Sequence, residues 1–254
     1  MGRDEVTGRL RAAGCVFAED EAQLLFGEAG GDEVRLERML AERVSGVPLE
    51  QVVGWAWFRG ARIVVAPGVF VPRRRTEHLV ELALEGLGAG DVVVDVCCGS
   101  GAVAASVLAG CPDAVVWAVD VDERAVECAR VNVAGGRVAA GDLFSPLPSE
   151  LAGRVRVITA NAPYVPSGQV GLMPPEARDY EPRVALDGGA DGLAVQARVI
   201  AEAPRWLAAG GVLLVETSRE QAEGTAELMS AAGLVPRVSR CEELEATVVR
   251  GLVA

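Results

Sequence analysis

Residues 91–102 read DVVVDVCCGSGA, a Val-rich run carrying one acid, Asp95, that stops at two cysteines and two closely spaced glycines before a helix-forming stretch. A continuous run of this kind suits a strand buried on both faces, the situation of a parallel sheet. Gly99 and Gly101 let the chain turn tightly and let a ligand approach the helix N-terminus, where unpaired N–H groups favour a negative group. Working outward, apolar runs at 114–119 (AVVWAV), 137–140 (RVAA), 155–160 (VRVITA) and 211–217 (GVLLVET) alternate with helical spacing at 102–110, 122–134, 190–208 and 219–232. That alternation predicts a doubly wound α/β sheet. Two further strands, VPRVSR (235–240) and ATVVRGL (246–252), flank an acidic loop, so the sheet is expected to end in a hairpin.

Upstream, apolar positions from Asp4 to Glu50 recur at helical spacing, punctuated by Gly30 and Gly31, which predicts a small helical domain over 1–54. Short β-rich runs broken by Gly60 and by Pro67 with Gly68 predict a hairpin linker over 55–75. The sheet domain is then expected over 76–254, opening on a helix with Thr76 as its N-cap.

Composition narrows the function classes. Half of the 254 residues are apolar and 4% aromatic, which suits a packed α/β core. A formal charge of -12 disfavours nucleic acid, whose phosphates supply most of its affinity for proteins, and fits a basic protein partner. Six cysteines without a CxxC pair, beside a single histidine, predict reduced core residues and no metal site. No apolar run reaches the ~18 residues of a membrane span, and the charged N-terminus has no signal core; a cytoplasmic location is expected.

The loop after the first strand has two readings. Gly99, Gly101 and Ala104 satisfy GxGxxG/A and Asp120 follows at about the expected spacing, so a dinucleotide-dependent oxidoreductase is one candidate. The other is a different adenosine cofactor. Asp120, at the end of the second strand, can accept both hydroxyls of a ribose, with Asp122 better placed as the helix N-cap. Asp142, after the third strand, can reach a ring amine or serve as a turn carboxylate. The stretch TANAPYVPSG (159–168) favours the second candidate. At the mouth of the fourth strand, Asn161 and Ala162 offer a side-chain and a backbone carbonyl, and Pro163 and Tyr164 add an aromatic face. Two acceptors suit a planar NH2 group, which carries two donors. The oxidoreductase reading leaves NAPY and Asp95, at the end of the first strand, without a role. A non-catalytic module that has kept the fold is the third alternative.

NAPYVP with EPRVALDGGADGL (181–193) resembles the NPPY and downstream signature of the HemK/PrmC-type protein-glutamine methyltransferases, which methylate release factors. FVPRRRTEHLVELAL (70–84) is similar to the family's IPRPETE linker, GVPLEQVVGWAWFRG (46–60) to its GEPLQYILG stretch, and LLVETSREQ (213–221) to its strand-five motif. The resemblance covers nearly the whole chain. It implies a class I, S-adenosylmethionine-dependent methyltransferase domain, a mostly parallel seven-stranded sheet, behind a small N-terminal helical substrate-recognition domain. It implies that Gly99 and Gly101 line the methionine end, Asp120 holds the ribose and Asp142 lies near the adenine, with Asp95, Cys97, Val121, Leu143 and Asn161 completing the donor site. Asn161, Ala162, Pro163 and Tyr164 would then hold the substrate amide of a peptide chain release factor; another amide or amine substrate is the alternative. Three motifs depart from the family pattern: Cys97 stands for Gly, NAPY for NPPY, and RRRTE, with Arg74 and Arg75, for RPETE. Arginines 73, 74 and 75 read as a solvated or carboxylate-binding cluster.

Overall fold

The computed structural model describes residues 1–253; Ala254, the last residue of the expected sheet domain, lies outside the described residues. Four helices come first: α1 (Arg3–Ala12), α2 (Ala18–Ala29), α3 (Glu33–Val44) and the short α4 (Leu49–Val53). Their apolar stripes meet in a core of their own around Val6, Leu10, Leu25, Met39 and Leu40. Burying each such leucine stabilises the fold by ~1.5–3 kcal/mol. The GlyGly punctuation is a helix stop followed by a start: Gly30 is left-handed at φ 59°, and Asp32 accepts from the N–H groups of Val34 and Arg35.

β1 (Trp55–Phe58) and β2 (Ala61–Val64) form the expected antiparallel hairpin. A short 3-10 turn (Arg74–Thr76) leads into α5 (Glu77–Leu84). The N-cap expected of Thr76 is not made. Its backbone is already helical, at φ −67°, and its side chain caps no N–H of the helix. The Thr76 hydroxyl instead accepts from Asn161, 85 positions away.

Besides three short 3-10 turns, the remaining elements are β3 (Val92–Val96), α6 (Ala102–Gly110), β4 (Val115–Asp120), α7 (Glu123–Asn132), β5 (Arg137–Ala140), β6 (Val155–Ala160), α8 (Pro175–Tyr180), α9 (Ala194–Trp206), β7 (Leu207–Glu216), α10 (Ala222–Ala231), β8 (Leu234–Cys241) and β9 (Ala246–Val253). The strands form one sheet in the order β5-β4-β3-β6-β7-β9-β8. β3 to β7 pair in parallel, while β9 runs antiparallel to both β7 and β8, which makes the predicted terminal hairpin. Alternate residues of one strand serve opposite faces. Val93 packs with Leu79 of α5 and Val107 of α6, whereas Val94 and Val96 join Ile200 of α9 and Met229 of α10.

Two segments differ from expectation. The helix expected over 190–208 occupies 194–206, because the chain from Gly188 to Gly192 folds back on the Tyr164 region and Leu207 already pairs with Val155 as the start of β7. The one-and-a-half-turn α8 was not legible as periodicity; it is too short to repeat an apolar stripe. α8 also meets the N-terminal helices. Arg43 on α3, itself paired with Glu21 at 2.7 Å, reaches Glu176 at 2.7 Å, and the Tyr180 hydroxyl donates to the Ser45 carbonyl at 2.9 Å.

Candidate active site

Strand order reverses at β3, which sends its neighbours β4 and β6 in opposite directions along the sheet. The crevice beyond such a reversal, at the carboxyl ends of the strands, is where open α/β sheets hold ligands. A cavity of about 280 Å³ lies there, walled by Cys97 after β3, Asp120 ending β4 and Asn161 after β6. It brings together ten of the expected site residues: Cys97, Gly99, Asp120, Val121, Asp142, Leu143, Asn161, Ala162, Pro163 and Tyr164.

Asp95 and Gly101 are not in its wall. Asp95 is 1% exposed and accepts from the Thr159 hydroxyl at 2.7 Å, tying β3 to β6. Burial pushes its carboxyl up to about 7, against the Thr159 hydrogen bond. Gly101 opens α6 at φ 79°, and a Cβ there would lie 2.7 Å from Val133 and 3.0 Å from the Ala129 Cβ. Its glycine lets α6 and α7 close on each other.

At one end of the cavity, Asp120 organises the loop. Its Oδ2 accepts from the Gly99 N–H at 2.8 Å and its Oδ1 from the Asp122 N–H at 2.9 Å. Each oxygen keeps a lone pair for a further donor. Asp122 caps α7 through the Arg124 N–H, the division of labour read in the sequence. Cys97 holds a left-handed φ of 57°, and burial first, then Asp120, pushes its thiol well up, so it is a neutral wall rather than a nucleophile. Asp142 pairs with Arg198 of α9 at 2.5 Å, both half in solvent.

At the other end, Asn161 Nδ2 donates to the Thr76 hydroxyl at 3.2 Å. This commits the amide end of Asn161 and leaves its carbonyl oxygen as the free end beside Ala162, Pro163 and Tyr164. The NAPY turn is held from behind by residues 187–192. Gly188 N–H donates to the Val165 carbonyl at 2.9 Å, and Gln221 Nε2 donates to the Tyr164 carbonyl at 2.9 Å. Two of the three arginines bind carboxylates: Arg73 meets Glu181 at 2.7 Å, and Arg75 Nε lies 3.6 Å from Glu216 Oε1 with its guanidinium 6.0 Å from the Tyr164 ring centroid.

Sequence reasoning missed several residues of the cavity wall: Phe70, Arg198, Leu186 and Val195. Phe70 and Leu186 lie inside motifs that were recognised as wholes. Arg198 carries no local signal, since a lone arginine on a helix reads as a solvated face.

The family model for the methyltransferase small domain matches residues 60–173, which contain the glycine loop, Asp120, Asp142 and the NAPY turn. A methyltransferase from Pyrococcus furiosus of solved structure superposes with a TM-score of 0.58 over 77% of this chain and 90% of that one, at 17% identity, a likeness of fold. Fold and pocket together define a class I methyltransferase, the class that draws its methyl group from S-adenosylmethionine. The release factor glutamine methyltransferase of Mycolicibacterium smegmatis is 37% identical over 249 residues, 91% of this chain and 88% of that one. The 4-amino-L-phenylalanine/4-methylamino-L-phenylalanine methyltransferase of Streptomyces pristinaespiralis is 33% identical over 254 residues, 91% of this chain and 86% of that one. The chain belongs to the release factor glutamine methyltransferase family. The oxidoreductase reading of its glycine turn is thereby overturned.

Proposed function

We propose that the chain transfers the methyl group of S-adenosylmethionine to the side-chain amide nitrogen of a glutamine in a peptide chain release factor. The observation that carries this reading is the orientation of Asn161: with Nδ2 engaged by Thr76, the side-chain oxygen is the end available to an N–H donor. Together with the backbone carbonyl of Ala162 it makes two acceptors for one planar NH2 group. Alanine in place of the family's proline keeps that carbonyl, so NAPY serves as NPPY does, in a divergent member.

The residues fit the donor. Gly99 presents backbone with no side chain to the cavity, Asp120 offers two carboxylate oxygens for a pair of hydroxyls, and Asp142 with Leu143 stands where a ring amine would lie. Asp95 and Gly101 support this set. When bound, the donor supplies an electrophilic sulfonium methyl. Asn161 and Ala162, by accepting both hydrogens of the acceptor amide, hold its nitrogen towards that methyl and stabilise the positive charge that develops on nitrogen during attack. Tyr164 packs on the flat amide, its own phenol pushed up to about 12 by burial first and by Glu216 next, so it stays neutral.

In this reading residues 1–54 recognise the substrate, 55–75 link, and 76–254 carry the chemistry. The charge of -12 favours a basic protein surface over nucleic acid, and six unpaired thiols suit the reducing cytoplasm. A second reading, an aryl or alkyl amine as acceptor, is favoured by the similarity to the 4-amino-L-phenylalanine enzyme, since an aryl NH2 also offers two donors.

Mass spectrometry of a purified release factor and of 4-amino-L-phenylalanine, each incubated with the protein and labelled donor, separates the two. Methyl label on a release-factor glutamine is expected. Asn161→Ala should leave donor affinity near wild type while lowering single-turnover transfer by roughly 100-fold or more. Retained turnover would remove Asn161 from the chemistry.

A further inference from the structure

An Asn side chain offers an acceptor at one end and a donor at the other, and a half-turn exchanges them. Only the oxygen end of Asn161 grips an acceptor NH2; the amide end would oppose it. Thr76 touches that choice directly, because its hydroxyl accepts from Nδ2. A hydroxyl alone does not settle it: the same oxygen, turned, donates to the carbonyl end instead. What matters is where the Thr76 proton goes.

Glu216, at the carboxyl end of β7 beside β6, is 1% exposed. Neither of its oxygens closes a hydrogen bond of ordinary geometry. Burial acts most strongly on this carboxyl, and hydrogen bonding from Thr76 is the largest influence opposing it, followed by Arg75 and Arg73. Glu216 lies one residue beyond Val215, which pairs with Ala160, the residue before Asn161, and Arg75, the neighbour of Thr76, stands 3.6 Å from Glu216 Oε1, so the sheet sets this carboxylate beside the Thr76–Asn161 pair. An ionised carboxylate can accept and cannot donate. An ionised Glu216 that takes the Thr76 proton would leave the Thr76 oxygen with lone pairs for Asn161 Nδ2.

We propose that Thr76 and Glu216 are positioning residues for the reaction: Glu216 orients the Thr76 hydroxyl, and the Thr76 hydroxyl fixes the Asn161 carboxamide with its oxygen towards the methyl acceptor. The inference rests on the acceptor-gripping role of Asn161 given above. It accounts for a buried threonine at a helix start that caps nothing, and for a buried carboxylate lacking donors of its own. It also explains Arg75, a departure from the family pattern. The Arg75 guanidinium stands 3.6 Å from Glu216 and favours the ionised form on which the chain of hydrogen bonds depends.

Protonation would reverse the chain. A neutral Glu216 can donate to Thr76, which then donates to the Asn161 oxygen. Burial pushes the Glu216 carboxyl up to about 7, against Thr76 first and then Arg75 and Arg73 before α5, and the Tyr164 phenol after β6 also faces it. Transfer is therefore expected to fall as pH drops through neutrality.

The test is single-turnover transfer to a purified release factor, with donor affinity measured by calorimetry on the same samples. Thr76→Val should lower the transfer rate by roughly tenfold to 100-fold with donor affinity unchanged, and Thr76→Ser should restore it to within about threefold. Glu216→Gln, whose amide donates, should lower the rate and abolish the acid limb of the rate–pH profile. A Thr76→Val protein with wild-type transfer, or an acid limb unchanged in Glu216→Gln, overturns the inference. If Asn161→Ala itself keeps its rate, the failure lies in the acceptor-gripping reading; if Asn161→Ala loses activity while Thr76→Val keeps it, only the relay is lost.

Discussion

Asp120 is the residue on which the donor end depends, because one carboxylate does two things. It gathers the backbone N–H groups of Gly99 and Asp122, and it offers the remaining lone pair of each oxygen to the cavity. Hydrogen bonds to a charged group stabilise by ~1.5–3 kcal/mol. Asp120→Ala should therefore weaken S-adenosylmethionine binding by about 10- to 100-fold, measured by calorimetry. Unchanged affinity would take Asp120 out of the site. Cys97 shows a different residue-scale feature. An L-residue in the left-handed region costs ~1–2 kcal/mol, yet the wall of the cavity carries one at φ 57°.

Among the elements, the stretch from Asp187 to Leu193 matters most, although it is neither helix nor strand. Its glycines let backbone lie directly against the NAPY turn: a Cβ on Gly188 would stand 2.7 Å from the Pro163 carbonyl oxygen and 2.8 Å from the Tyr164 Cα. At Gly192, where φ is 80°, a Cβ would overlap the Tyr164 carbonyl oxygen and Gln221 Nε2. In this chain the DGGADGL stretch is the mould of the NAPY turn. Gly192→Ala should destabilise the fold by about 2–4 kcal/mol, combining left-handed strain with overpacking, and should lower transfer by displacing Tyr164. Thermal unfolding and a transfer assay read both effects; a variant with wild-type melting and activity would show that the turn is not held this tightly.

At the scale of the whole molecule, two buried acids set stability against activity. Burial pushes Asp95 and Glu216 each up to about 7, opposed by Thr159 and Thr76 respectively. The folded chain then keeps protons that the unfolded chain releases near pH 4, so this share of stability is complete below that range and is lost as pH rises through about 7. Tm is expected to fall between about pH 5 and about pH 8, and Asp95→Asn to flatten the decline. A Tm that rises over that interval would contradict the burial of both acids. Asp179 and Asp187, held low by their arginine and hydroxyl partners, act below this window. Transfer, which needs Glu216 ionised, is expected to run the opposite way with pH.

Local chemistry was enough for much of this. Val-rich runs such as 92–96 can be satisfied only between two layers of helices, and a glycine turn followed by an acid about 20 residues later can be recognised from spacing alone, because both depend on neighbours along the chain. The gathering of Cys97, Asp120, Asn161 and Tyr164 at one sheet edge follows from parallel strands whose order reverses, so it too was legible. What tertiary structure decided are the contacts between residues far apart in sequence. Thr76 looked like a helix cap and proved to be a partner of Asn161; Asp95 is tied to Thr159 on the neighbouring strand and Gly101 is packed against Ala129 and Val133; Arg198 had no signal at all. A single hydroxyl or carboxylate can make several equally good local bonds, and only the packing of distant elements selects among them.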